Sequence, residues 1–286
     1  MSLRDEAAEV EYTPESELRR PGRLLTGMWR DLRRSRSLAW RLMVRDIRAV
    51  YRQSFFGIAW AFLPPLVMTL GFTLAGRAGV IRIASTDLPY PAYVIFSMIL
   101  WQTFVEAMNG PVLAITSAKP LLARVKFPYE ALVVAKLGEV GFNFAIKLTL
   151  LIVVFVWYEL PLSWSALLAP LALVQLILFG TLIGLFLAPL GALYHDVGHG
   201  LTVFTGLWLF LTPVVYPVPI AGTFGTIVRM NPVTPLLVTT RELATTGAVS
   251  DPVTFFAVSA ATMLGLFATW IAFRLTLPFV IERASA

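Results

Sequence analysis

The chain has 286 residues, of which 57% are hydrophobic and only 14% are charged, and its mean hydropathy is +0.75. Soluble domains carry about 25% charged residues, so this composition excludes an ordinary soluble protein and indicates a single membrane domain. The sequence contains no cysteine, which excludes a disulfide framework and a thiolate metal site. The net charge of +6 does not indicate nucleic-acid binding, because the excess Lys and Arg lie beside apolar segments, where they follow membrane topology.

Residues 1–27 are polar and are predicted to form a flexible cytoplasmic tail without the apolar core of a signal peptide. Residues 28–54 are predicted to form an amphipathic interfacial helix, because at about 100° per residue an apolar face separates from an arginine stripe. Such a helix lies in the lipid headgroup plane. The apolar face consists of Trp40, Met43, Val44, Ile47, Val50 and Tyr51, and the stripe of Arg41, Arg45, Arg48 and Arg52.

Six apolar stretches within residues 55–286 are long enough to cross a bilayer, which takes about 20 residues. The predicted spans are residues 56–76, 90–110, 134–157, 166–190, 201–217 and 254–276. Residues 1–55 hold 12 Lys and Arg and residues 111–129 hold 3, whereas residues 77–89 and 218–253 hold 2 each. Because positive residues stay inside, both termini are predicted to be cytoplasmic. The sequence therefore predicts an all-α, multi-pass membrane protein with six transmembrane helices.

The segment between predicted spans five and six, residues 213–253, is interrupted by six prolines. The pieces between the prolines are partly apolar but too short to cross. Short re-entrant helices fit this pattern, since irregular backbone is tolerated in a membrane where protein or a water-filled cavity buries it. An ordinary extracytoplasmic loop is the alternative.

Several ionisable residues lie in or near the predicted spans. Glu106 and Arg274 are close enough to predicted cytoplasmic ends for their side chains to reach the interface. Lys136 and Glu139 are three residues apart on a helix, so their opposite charges can neutralise each other. Lys147 lies deep in the third span, where a charge costs about 2.5–3.5 kcal/mol. It is therefore expected to face a polar conduit, a neighbouring subunit or an anionic partner.

No Gly-x-x-x-x-Gly-Lys-Ser/Thr motif is present, so the chain is not expected to be an enzyme that hydrolyses ATP through a P-loop. His195 and His199, with Asp196 between them, come close to the zinc motif His-Glu-x-x-His. The short Asp, the helix-disfavouring Gly198 and the lack of another histidine favour a turn at a cytoplasmic membrane boundary. A membrane-embedded metalloenzyme using His195 and His199 is kept as an alternative.

Three motifs resemble the permease subunits of bacterial ABC-2 polysaccharide exporters, which handle O-antigen, teichoic acid, capsule and related glycans. The first is Arg45-Asp46 with Tyr51-Arg52-Gln53-Ser54, Gly57-Ile58-Ala59-Trp60 and Pro64-Pro65. The second is Lys126-Phe127-Pro128 with Glu130. The third is Pro213-Val214-Val215-Tyr216-Pro217, followed by Met230-Asn231-Pro232-Val233-Thr234-Pro235 and Arg241. The connection between spans four and five departs from the family pattern, because His195-Asp196 stands where an Arg-Asp pair is usual.

The resemblance implies a homodimer in the bacterial inner membrane, joined to two copies of a separate ATPase subunit. ATP and Mg would be bound by that partner, and no cofactor or metal by this chain. The resemblance also implies that residues 28–54 and 111–128 contact the ATPase, and that the cargo is a polyprenyl-pyrophosphate-linked glycan. Membrane lipids are further partners, and nucleic acid is not.

The basic residues near the predicted cytoplasmic face are candidates for contact with the cargo diphosphate: Arg45, Arg48, Arg52, Arg124 and Lys126. Positive-inside topology and binding to anionic lipid explain the same residues equally well. The candidate outer gate consists of Tyr216, Asn231, Pro232 and Arg241. Two further alternatives are an ABC-2 exporter of drugs or lipids, and a secondary transporter with inverted repeats.

Overall fold

The computed structural model describes residues 21–52, 57–79, 86–122, 128–160, 163–219 and 221–285. Within these ranges the regular structure is helical and no β-strand occurs, which confirms the all-α class. The α-helices are α1 (Pro21–Arg52), α2 (Leu63–Arg77), α3 (Tyr90–Leu122), α4 (Glu130–Trp157), α5 (Ala169–Leu193), α6 (Asp196–Phe210), α7 (Gly222–Met230), α8 (Val233–Ala244) and α9 (Pro252–Ser285). Two short 3-10 helices, Gly57–Ala61 and Trp164–Leu167, precede α2 and α5.

Four of these helices are long and apolar enough to cross a membrane: α3, α4, α5 and α9. They coincide with predicted spans two, three, four and six. Predicted spans one and five correspond to α2 and α6, which have 15 residues each. At 1.5 Å per residue such a helix rises about 22 Å, less than the roughly 30 Å hydrocarbon core. The count of six spans therefore stays a prediction.

Helices α3 and α5 pack closely because α5 presents small residues to α3. Gly180, Gly184 and Ala188 recur every four residues and are buried. A Cβ atom at Gly180 would lie only 2.7 Å from the carbonyl oxygen of Phe104, and one at Gly184 would overlap the carbonyl of Met108. Small residues at this spacing allow membrane helices to approach at the backbone. The α3–α5 seam is thus the tightest described contact between spans.

Buried apolar side chains form two clusters. One joins the first half of α3 to the end of α4 and to α6 and α8. The other joins the end of α3 to α1, the start of α4 and the C-terminal half of α9. The first and last described helices therefore meet at one end of the bundle. This end, called the α1 end below, is the predicted cytoplasmic side, and its placement in the cytoplasm stays a prediction.

Helix α1 begins at Pro21, before the predicted boundary at residue 28, and packs against α4. The predicted apolar face is divided: Met43, Val44 and Ile47 are half-buried, whereas Trp40 and Val50 are exposed. The side chains of Tyr51 and Arg52 lie outside the described part of the chain. The face of α1 that is buried against the bundle is centred on other residues, namely Met28, Ser35, Ala39 and Leu42.

The predicted connection after span two, residues 111–129, is in large part helical. Helix α3 continues to Leu122, because Ala114, Ile115, Ala118 and Leu122 are buried in the cluster at the α1 end. Span two is consequently longer than the apolar stretch 90–110 suggested. Residues 123–127, which include Arg124 and Lys126, lie outside the described residues.

The proline-rich segment 213–253 contains the helices α7 and α8, as the expectation of short helices requires. Helix α8 is buried at every position from Val233 to Arg241 and packs against α5 and α9. The alternative of an ordinary extracytoplasmic loop does not describe α8, which is a buried helix, and the side of the membrane on which it lies stays a prediction. Re-entry of these helices into the membrane stays a prediction.

Candidate functional site

A cleft of about 580 Å³ lies where α1, the 3-10 helix Gly57–Ala61, α3 and α4 meet. It joins two features that the sequence singled out separately, the Gly57–Pro64 motif and Lys147. The lining residues are Ile47, Val50, Gly57, Trp60, Ala61, Pro64, Gln102, Val105, Glu106, Glu139, Asn143 and Lys147. This volume falls within the range of small-molecule sites, which are mostly apolar with a few polar groups.

An ion pair links the two spans that form one side of the cleft. The Lys147 ammonium on α4 donates a hydrogen bond to the Glu106 carboxylate on α3. The Asn143 amide, one turn before Lys147, donates to the other oxygen of Glu106 at 3.2 Å. Lys147 was expected to face a polar conduit, a neighbouring subunit or an anionic partner. In the structure its anionic partner is Glu106 of the same chain, and Lys147 also lines the cleft.

The two members of this pair differ in burial. The side chain of Lys147 is 3% exposed and that of Glu106 is 32% exposed. A buried ammonium is tolerated only with a paired charge, and Glu106 provides it across the helix contact. The expectation that Glu106 extends toward the interface is wrong, because its carboxylate turns toward Lys147 and Asn143.

A second ion cluster fixes the C-terminal part of α1 to α4. Lys136 Nζ lies 2.6 Å from Glu139 and 3.3 Å from Asp46 of α1. The predicted i,i+3 pair of Lys136 and Glu139 is therefore confirmed, with Asp46 as an additional member. Arg45 also contacts Asp46, at 2.8 Å, but its side chain is largely exposed.

A third ion cluster joins three helices at the α1 end. Arg274 of α9 lies 2.8 Å from Asp31 of α1 and 3.3 Å from Glu130 of α4. All three side chains are mostly buried. The expectation that Arg274 extends to the interface is wrong, because two carboxylates hold its guanidinium inside the bundle. We call this set the Arg274 cluster.

The basic residues proposed for diphosphate contact are not brought together at the cleft. Arg45 and Arg48 are exposed on α1, and neither lines the cleft. The Arg52 side chain, Arg124 and Lys126 lie outside the described residues. The proposed grouping of these five residues therefore stays a prediction.

The candidate outer-gate residues lie at the opposite end of the bundle, around a buried arginine. Arg241 of α8 is 7% exposed, donates to Ser97 Oγ at 2.7 Å, and stacks 4.0 Å from the centroid of the Tyr93 ring. The Tyr93 hydroxyl lies 2.8 Å from the Tyr216 carbonyl oxygen and 3.1 Å from that of Pro213. The arginine and the tyrosine thereby tie α8 and residues 213–216 to α3.

Asn231 organises the start of α8, which has Pro232 at its N-cap position. The Asn231 amide donates to the Leu211 carbonyl at 3.1 Å and to the Thr212 hydroxyl at 2.9 Å. Its side-chain oxygen accepts from the Val233 N–H at 3.1 Å and so satisfies a free amide at the helix start. The four proposed gate residues thus lie in one connected region.

A smaller cavity of about 350 Å³ borders this region and is lined by charged residues of both signs. Arg241, Arg229, Asp87, Glu242 and Asp251 are among them. Asp251 precedes α9, and hydrogen bonds from the hydroxyl and the backbone N–H of Thr254 lower the pKa of its carboxyl group. The cavity therefore combines opposite charges rather than presenting one sign.

Sequence reasoning missed four residues that carry these contacts: Asp31, Tyr93, Ser97 and Trp60 as a cleft residue. Asp31 and Asp46 are acidic residues within an otherwise basic helix, and that contrast was a usable signal for ion pairing on the packed face. The roles of Tyr93 and Ser97 depend on contacts with residues more than 100 positions away, and no local signal announces them.

The histidine motif begins in the expected turn, which Tyr194 and His195 form between α5 and α6, but it continues into a helix. Helix α6 begins at Asp196 in spite of Gly198 and Gly200, with His195 at its N-cap position. His195, Asp196 and His199 are exposed. Across the described ranges, no three His, Asp or Glu side chains are grouped so as to hold a metal ion. Nothing in this part of the chain supports the metalloenzyme alternative.

Comparison with known proteins agrees with the membrane architecture. The profile described as ABC-2 type transporter matches residues 37–243. The O-antigen export system permease protein RfbA of Myxococcus xanthus is 29% identical over 192 residues, which cover 66% of this chain and 71% of that protein. The protein of the same name from Klebsiella pneumoniae is 22% identical over 210 residues, covering 72% and 79% of the two chains. The chain therefore belongs to the ABC-2 type transporter family.

Proposed function

We propose that this chain is the transmembrane subunit of an ATP-driven exporter that moves a polyprenyl-pyrophosphate-linked polysaccharide across the bacterial inner membrane. It works as a homodimer with two copies of a separate ATPase subunit. The glycan is an O-antigen, a teichoic acid or a similar polymer. ABC-2 family members are the membrane subunits of transporters and not enzymes themselves, so ATP and Mg are bound by the partner.

Two relatives named as O-antigen export permeases support the cargo class, since they align with 66% and 72% of the chain. Within the structure, the attachment of α1 carries the proposal. The Arg274 cluster and the Asp46–Lys136 pair connect this basic helix to α4 and α9. A helix held in this way can transmit a displacement by a cytoplasmic ATPase to the spans, because buried ion pairs resist separation.

The arginines Arg45 and Arg48 remain candidates for the first contact with the cargo diphosphate, because they are exposed on α1. Binding to anionic lipid is the competing role. Replacing both by Gln should raise the glycolipid concentration needed for half-maximal ATPase stimulation if they bind cargo. An unchanged half-maximal concentration in vesicles of zwitterionic lipid would assign them to lipid binding or topology.

At the opposite end, we propose that Tyr216, Asn231, Pro232 and Arg241 form the outer gate. The hydrogen bonds of Asn231 and the stacking of Arg241 on Tyr93 support a closed position of α8 against α3. Opening would separate these groups, so a gate at this point needs the glycan or the partner's ATP cycle to offset their loss.

The proposal is tested by reconstituting the full chain with its ATPase partner in proteoliposomes that contain a polyprenyl-diphosphate-linked glycan. ATP-dependent transfer of the glycan to the opposite leaflet is expected, and an ATPase variant that binds but does not hydrolyse ATP should abolish it. Transfer without the ATPase would instead indicate a secondary transporter. Transfer of hydrophobic drugs or phospholipids, without the glycolipid, would indicate a drug or lipid exporter.

A further inference from the structure

The cleft between α1 and the spans has two chemically different walls. Most of its polar residues, Gln102, Glu106, Asn143 and Lys147, come from α3 and α4. The described residues of the wall formed by α1, the 3-10 helix and the start of α2 are apolar apart from the indole N–H of Trp60. Its members are Ile47, Val50, Gly57, Trp60, Ala61 and Pro64. A ligand for this cleft therefore has a polar side and an apolar side.

The polar wall offers hydrogen-bond acceptors to the cleft, whereas its cation, Lys147, is buried beneath the Glu106 carboxylate. Lys147 is almost fully buried, whereas a third of the Glu106 side chain is exposed. A carboxylate has about four acceptor positions, and the hydrogen bonds from Lys147 and Asn143 occupy two of them. Glu106 can thus accept further hydrogen bonds from a ligand.

Gln102 lies one helical turn before Glu106 on the same wall. Its side chain makes no hydrogen bond to the residues that the structure describes, and it is only partly buried. An amide offers both a donor and an acceptor, so Gln102 and Glu106 together suit a ligand with neighbouring hydroxyl groups.

The charge balance at this wall selects against an anionic ligand. Lys147 is neutralised by Glu106, and Glu139 is neutralised by Lys136. Among the described residues, a phosphate group would meet the Glu106 carboxylate before the buried Lys147, and Arg45 and Arg48 of α1 do not line the cleft. A neutral hydroxyl group forms hydrogen bonds with the same carboxylate and buries no additional charge.

Trp60 supplies a large aromatic surface at the opposite wall, with about half of its side chain exposed. The C–H face of a sugar ring is apolar and packs against an indole, while its hydroxyl edge remains available for hydrogen bonds. The aromatic residues Trp101, Phe104 and Trp208 pack against one another in the core and do not line the cleft.

We infer that this cleft binds an uncharged sugar unit, with the ring against Trp60 and its hydroxyls hydrogen-bonded by Gln102 and Glu106. The inference rests on the proposed export of a glycan-bearing lipid and assigns a place in this chain to the sugar rather than to the diphosphate. Apolar residues such as Val50 and Pro64 accommodate the apolar portion that adjoins the sugar.

The test uses the full chain in nanodiscs of phosphocholine lipid and a photoreactive octyl β-glucoside with a diazirine in its alkyl chain. Saturable labelling of peptides that contain Trp60 or Gln102 is expected. The variants Trp60→Ala and Gln102→Leu should each weaken labelling about tenfold, the effect of losing one good contact. Trp157→Ala removes an exposed tryptophan outside the cleft and should leave labelling unchanged.

Neither test variant disturbs the Lys147–Glu106 pair, and the midpoint of thermal unfolding of each variant shows that it is folded. Labelling at other sites, or labelling unaffected by both variants, would overturn the inference. A photoreactive octyl phosphate that labels the cleft as strongly as the glucoside would also overturn it. Glycan export measured on the same variants separates the two proposals, since export without glucoside binding refutes only the assignment of the cleft.

Discussion

The α3–α5 seam yields a quantitative prediction for Gly180→Ala. The added Cβ atom would lie 2.7 Å from the carbonyl oxygen of Phe104, and it would also lie 3.1 Å from the Ala107 Cβ. A carbon packs against a carbonyl oxygen at about 3.3–3.6 Å, so the two helices must separate by about 0.6–0.9 Å. The clashing atom belongs to the backbone, and a rotamer change cannot move it away.

The expected cost follows from comparison with a glycine in open space. Gly141 lies in a helix, as Gly180 does, but it is exposed, and a Cβ atom there would meet nothing within 4 Å. Both substitutions gain about 1 kcal/mol of helix propensity, so this contribution cancels in the comparison. Overpacking costs about 1–3 kcal/mol. Gly180→Ala should therefore be about 1–3 kcal/mol less stable than Gly141→Ala.

The measurement is unfolding of each variant in mixed micelles by increasing SDS, followed by the fluorescence of the chain's 8 tryptophans. Gly184→Ala should show the larger loss, because its Cβ would overlap the Met108 carbonyl. The second substitution Ala107→Gly should not restore Gly180→Ala, since it removes the side-chain contact and leaves the carbonyl in place. Equal stability of Gly180→Ala and Gly141→Ala would refute the argument that the seam depends on backbone contact.

The buried charges make three further outcomes testable by the same unfolding measurement. Glu106→Gln should be less stable than the double variant Lys147→Met/Glu106→Gln, because the single change leaves the buried Lys147 ammonium without its carboxylate, a loss of about 3–5 kcal/mol for a broken buried pair; equal losses would contradict this. Arg274→Met and Glu130→Gln should couple by about 0.5–3 kcal/mol in a double-mutant cycle, and additive effects would refute a shared cluster. Arg241→Lys should lose about 1–3 kcal/mol, because an ammonium does not reproduce the planar stacking on Tyr93, and a wild-type-like Lys variant would argue against that contact.

The apolar runs predicted the long spans because hydrophobicity over about 20 residues is a local property of the sequence. Spans two, three, four and six follow from it directly. The extension of α3 to Leu122 was not apparent from the sequence. Ala114 and Ala118 are only weakly apolar, and it is their packing against other helices that stabilises this part of α3. The same limit applies to α6, which starts at Asp196 although two of its first five residues, Gly198 and Gly200, are glycines.

The partners of the buried charges could not be predicted, because they join distant parts of the chain. Lys147 pairs with Glu106 across 41 positions, and Arg274 with Glu130 across 144. Burial cost alone indicated that Lys147 needs a partner, but not which one. The orientation of α1 was only partly predictable for the same reason: Asp31 and Asp46 lie on its packed face because α9 and α4 supply the opposite charges.

The distribution of close contacts divides the molecule into a rigid part and a more loosely held part. Helices α3, α5 and α8 are joined by backbone approach at Gly180 and by the buried Arg241. Helix α2, in contrast, buries only Pro65 and Thr69 among its described residues, and α6 buries Leu201, Thr205 and Leu209. Elements with few buried contacts have low local stability and move first. Because α2 and the 3-10 helix before it form one wall of the cleft, displacement of α1 would change the width of the cleft before it disturbs the α3–α5 seam. Crosslinking α2 to α3 should therefore restrict glucoside binding, whereas a crosslink between α5 and α8 should not.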